Sequence, residues 1–110
     1  LYGEEHPYVG DCYLGIGRVL RMRERWDESI AMYERTVTIR EKVLPAEHPG
    51  VAQTRAEMAL AYKGKGEFAK ALEMLLDLRV EFMRLGQRFR VGDTELDGVV
   101  EELRGLVGGG

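Results

Sequence analysis

The sequence predicts an all-α fold: an α–α superhelix of two helix-turn-helix repeats, followed by a C-terminal capping helix. Three observations predict it. The pair His6-Pro7 returns as His48-Pro49, 42 residues on, each with a glutamate before it (Glu5, Glu47) and a valine two residues after the proline (Val9, Val51). Laying one copy on the other puts Gly17 on Ala59, Leu20 on Tyr62, Trp26 on Phe68, Ser29 on Ala71, Ile30 on Leu72 and Tyr33 on Leu75, so small residues fall on small and large on large. Apolar residues recur at helical spacing along most of the chain, which has only three prolines to interrupt it.

The first helix is expected from about Pro7 to Met22, since a proline in the first turn loses no intrahelical partner. A turn over Arg23 to Trp26 leads to the second, with Asp27 as its N-cap and Ile30, Tyr33, Val37, Ile39 and Val43 apolar among charges, stopping before Pro45. In the second copy the helices run from about Pro49 to Lys63 and from Phe68 to Leu85. Gly64-Lys65-Gly66 joins them through a left-handed glycine, and Gly86 closes the last. A fifth stripe, Leu96, Val99, Val100, Leu103, Leu106 and Val107, is entered through Asp93-Thr94, with Thr94 and Asp97 spaced as a capping box. Residues 1–86 thus hold two repeats, about 6–47 and 48–86. Residues 87–107 form the capping segment and 108–110 a flexible tail. A third copy would begin at Arg90-Val91, where the His-Pro signature is absent.

A net charge of −3 argues against a nucleic-acid binder, which needs a basic face to displace counterions from phosphate. No apolar run approaches the ~20 residues that span a bilayer, so no membrane partner is expected. The single cysteine, Cys12, cannot close an internal disulfide, which makes a reducing, cytoplasmic setting the default.

The stretch Tyr33-Glu34-Arg35-Thr36-Val37-Thr38-Ile39-Arg40-Glu41-Lys42-Val43-Leu44, followed by Glu47-His48-Pro49-Gly50-Val51-Ala52, resembles the end of the second helix and the loop of tetratricopeptide repeats. The form it resembles is the long-period one of kinesin light chains. Ala59, Tyr62, Gly66, Phe68 and Ala71 match the repeat's small-aromatic-glycine-aromatic-alanine frame, and the resemblance covers about Glu4 to Leu85. It implies a non-catalytic, protein-binding scaffold or adaptor that belongs to a larger chain or complex. Its partner would be a peptide, a helix or a neighbouring repeat protein, and cytoskeletal or ciliary association would fit. The alternative is a structural component embedded in such an assembly. Where those repeats carry two adjacent asparagines, this sequence has Leu14-Gly15 and Ala56-Glu57, which favours a packed helix over an extended peptide as ligand. Glu24 stands where the first repeat's turn would have glycine.

In such arrays the first helix of each repeat lines the concave face. The residues expected to point away from the second helices are Asp11, Leu14, Arg18 and Arg21, with Gln53, Glu57, Leu60 and Lys63 in the second copy. Arg18 and Arg21 could pair bidentately with carboxylates of a partner. They equally complement the dipole at a helix C-terminus, worth ~0.3–1 kcal/mol each. Trp26 and Phe68 read as core within each repeat, while Tyr2, Tyr8 and Tyr13 lie toward an open N-terminal edge. His6 and His48 read as helix caps rather than metal ligands, and Cys12 as a buried small residue rather than a nucleophile. Glu34, Glu41 and Glu73 sit singly on charged faces, so no acid–base pair, catalytic residue or cofactor is expected.

Overall fold

The computed structural model describes residues 6–45, 48–84, 90–91 and 94–108. Five helices follow one another: α1 (Pro7–Met22), α2 (Trp26–Val43), α3 (Gly50–Lys65), α4 (Phe68–Arg84) and α5 (Leu96–Gly108). Each packs against the next in the chain. A short antiparallel hairpin, β1 (Arg90–Val91) with β2 (Thr94–Glu95), pairs Arg90 with Glu95 and Val91 with Thr94 just ahead of α5. The fold is the all-α helical-repeat superhelix that the sequence predicts.

The histidines of the repeat signature do the same job twice. His6 Nδ1 accepts the Tyr8 backbone N–H at 3.1 Å, and His48 Nδ1 accepts that of Gly50 at 2.9 Å, each satisfying a donor that the helix start leaves open. Asp27 is not the N-cap of α2. Arg25 holds that position without a side-chain bond, and Asp27 lies in the first turn, 2.7 Å from Lys65 Nζ across the repeat junction. The hydrogen bond to Asp27 holds the Lys65 ammonium above its ordinary pKa. Gly66 ends α3 at φ 96°, the left-handed cap the glycine run predicts, whereas Glu24 takes φ 62° with a side chain. Thr94 belongs to β2 and α5 starts at Leu96, so Thr94 and Asp97 do not frame a capping box. Gly86 and Asp93 lie outside the described residues.

One core cluster joins Leu14 of α1, Ile30, Tyr33 and Val37 of α2, and Met58 and Ala61 of α3. The other joins Ala52, Ala56 and Ala59 of α3, Ala71, Leu75, Leu78 and Phe82 of α4, and Leu96, Val99, Val100 and Leu103 of α5. Tyr62 and Met74 border both, so apolar burial is continuous from α1 to α5. The register of the two copies shows in depth: Ser29 and Ala71 are both fully buried, as are Tyr33 and Leu75. Ser29 Oγ also donates to the Gly17 carbonyl at 2.7 Å, which keeps a buried hydroxyl satisfied where α1 and α2 touch. α5 closes the second cluster with four residues of its predicted stripe, while Leu106 and Val107 are exposed.

Three expectations are corrected here. Leu14 does not point away from the second helices; it is 8% exposed and packed among the α2 and α3 residues of the first cluster. Cys12 is exposed. Trp26 packs across the repeat junction, against Gly64 of α3, as well as within its own repeat.

Candidate functional site

Because each repeat buries its second helix between neighbours, α1, α3 and α5 come to lie on one side, joined by charged side chains. Arg18 Nε and Nη2 donate to the two carboxylate oxygens of Glu57, both at 2.7 Å, in a bidentate pair between α1 and α3. Arg21 Nε donates to the Tyr33 hydroxyl at 3.0 Å, and its Nη2 lies 3.7 Å from Glu57 Oε1. Lys63 forms an ion pair with Glu102 of α5.

Glu57 is the centre of this arrangement. It is 8% exposed, a depth at which an ionised carboxylate needs partners, and two guanidinium groups supply them. The bond to Glu57 holds the Arg18 guanidinium above its ordinary pKa. Half of the Arg18 side chain stays open to solvent, so one edge of the pair faces outward. Asp11 is mostly exposed and accepts from Arg40 Nη2 at 3.0 Å; Arg40 Nη1 reaches the Gly50 carbonyl and Thr54 of α3, tying three helices together.

Of the eight residues the sequence reading singles out, Arg18, Arg21 and Glu57 meet directly. Asp11 and Lys63 are engaged by Arg40 and Glu102, and Gln53 is exposed. Leu60 is half-buried against the second cluster, and Leu14 belongs to the first. The arginines therefore do not present two bare positive charges. The face is a neutralised lattice with exposed edges, suited to a mixed-charge surface rather than a purely acidic one. Arg40 and Glu102 escaped the sequence reading. Arg40 sits on a second helix, and its double role shows only when the loop returns α3 beside it. Glu102 reads as one more solvated charge until α5 is placed.

Among the described residues no group of three or more His, Cys, Asp or Glu is placed to hold a metal ion, and no helix is long and apolar enough to cross a membrane. None of their buried side-chain nitrogen or oxygen atoms lacks a partner. The polar groups inside the array are thus committed to holding helices together.

A model of the tetratricopeptide repeat family matches residues 1–42 and residues 12–78. A search of curated proteins finds no match.

Proposed function

Since this chain belongs to the tetratricopeptide repeat family, whose members generally mediate protein–protein interaction, we propose that it is a non-catalytic scaffold or adaptor module. It would use the face of α1, α3 and α5 to hold a protein partner. The observation that carries this reading is the Arg18–Glu57 pair with Arg21 beside it: polar groups of two repeats meet there in fixed geometry, with one edge left to solvent. A rigid edge loses little side-chain entropy when a partner's charged or amide group docks on it. Asp11, Gln53 and the half-buried Leu60 extend the surface, and Lys63 with Glu102 carries it onto α5.

The 42-residue period and the Tyr33 to Ala52 stretch support the long, kinesin-light-chain-like form of the repeat. Leu14 is taken up by the core and Glu57 by its arginines, so neither can clamp an extended backbone. A helix or another repeat protein is the partner we favour over a peptide strand, in a cytoplasmic setting with a single free cysteine. A second reading, a structural part embedded in a cytoskeletal or ciliary assembly, draws on the exposure of Tyr8. Tyr13 supports it less, being half-buried under Arg35, whose Nη1 donates to its hydroxyl at 2.9 Å.

The test is affinity capture with the wild-type chain and with an Arg18→Gln/Glu57→Gln double variant of equal helicity by circular dichroism. Partners lost only from the double variant support the adaptor reading. Partners retained in full favour the embedded role.

A further inference from the structure

The faces of α1 and α3 that are equivalent by the 42-residue register meet opposite fates. In α3, Gly50, Thr54, Met58 and Ala61 are all buried, and the helix that covers them is α2. Arg40 Nη1 donates to the Gly50 carbonyl and to Thr54 Oγ1, while Met58 and Ala61 sit in one cluster with Ile30, Tyr33 and Val37. The counterparts in α1 are Tyr8, Cys12, Ile16 and Val19. Tyr8 is 57% exposed, Ile16 48% and Val19 51%, and Cys12 is exposed too. They run along one face, and Cys12, Ile16 and Val19, with Asp11, Gly15 and Leu20, line a shallow groove on it. A face whose equivalent is core in the next repeat is here apolar and uncovered.

We infer that this open face of α1 is a docking face for an α2-type helix, supplied by a repeat that precedes α1 in the same polypeptide. The cover of α3 is the helix immediately before it in the chain, joined by the short connection from Leu44 to Pro49. In the sequence, Leu1 and Tyr2 fall at the register positions of Val43 and Leu44, so the residues leading into α1 are of the type that lead out of α2. The helix that fits has apolar residues at the spacing of Ile30, Tyr33 and Val37, and a cation one turn on where α2 has Arg40. This face is separate from the Arg18–Glu57 lattice, and the inference does not rest on the function proposed above.

Cys12 makes the inference directly testable, because it is the single cysteine of the chain and lies in the groove. A copy of residues 26–42, which contains no cysteine, is fused directly ahead of Leu1, and thiol labelling of Cys12 is timed in the fused and unfused chains. Cover by the added helix slows labelling about tenfold or more, as expected for a site that reacts only when its cover opens locally. Ile16→Glu restores the rapid rate in the fused chain and leaves the helicity of the unfused chain unchanged. Equal labelling rates with and without the added helix would overturn the inference. So would labelling of the unfused chain that slows with rising concentration, accompanied by a doubled mass that Ile16→Glu abolishes, since a second copy would then occupy the face.

Discussion

The Trp26 ring lies against Gly64 so closely that a Cβ on Gly64 would meet ring carbon Cη2 at 2.4 Å. The contact joins the start of α2 to the end of α3, across the junction between repeats. Gly64→Ala should therefore destabilise the chain by about 1–3 kcal/mol through overpacking, although alanine is the better helix former. In a Trp26→Leu background the same change should become neutral or stabilising. Urea unfolding of the four chains in this cycle checks it, and equal effects in both backgrounds would contradict the contact.

The two repeat turns differ in a way that stability can read. Glu24 holds φ 62° with a side chain, where Gly66 takes φ 96° without one. A non-glycine residue in that region costs about 1–2 kcal/mol, partly offset by the lower unfolded-state entropy of a side-chain-bearing residue. Glu24→Gly should thus stabilise by about 0.5–1 kcal/mol, and Gly66→Ala should destabilise by about 1 kcal/mol. Thermal melts of both variants decide the matter, and a destabilising Glu24→Gly would contradict it.

Much of this was legible in the sequence because the repeat states its own boundaries. His6-Pro7 placed the start of α1, the glycine run placed the cap at Gly66, and overlaying the copies paired Ser29 with Ala71 and Tyr33 with Leu75 at matching depth. What stayed hidden depends on how one repeat sits on the next. Leu14 follows the spacing of a groove residue, yet α2 and α3 close over it. Arg18 and Glu57 look like separate surface charges because they stand 39 residues apart. That is one 42-residue period less a single helical turn, the offset that brings neighbouring first helices side by side. Asp27 looked like a cap because local propensity favours it, but the chain gave it Lys65 instead.

The Arg18–Glu57 pair should show coupling. Glu57→Gln removes the partner of a half-exposed Arg18 and also the carboxylate near Arg21. A double-mutant cycle with Arg18→Gln should give a favourable coupling of about 0.5–2 kcal/mol, below the figure for a fully buried pair because solvent reaches the guanidinium. A coupling near zero in chemical denaturation would mean that the pair does not hold α1 to α3.

α5 should act as part of one cooperative array. Leu103 is fully buried between α5 and the second cluster, so Leu103→Ala should cost about 2–5 kcal/mol. Trp26, the chain's single tryptophan, lies at the far cluster and reports on it independently. Its fluorescence midpoint should fall together with the helical signal. A fluorescence midpoint that stays in place while helicity is lost would show that the two clusters unfold separately.

The central claim is that a protein partner binds on the side of α1, α3 and α5. The most direct measurement is photo-cross-linking from a benzoylphenylalanine placed at position 53, on α3, compared with one at position 34, on α2; both native residues are exposed. The account predicts partner adducts from position 53 that are lost with Arg18→Gln/Glu57→Gln, and none from position 34. Adducts from position 34 alone, indifferent to the double variant, would contradict it.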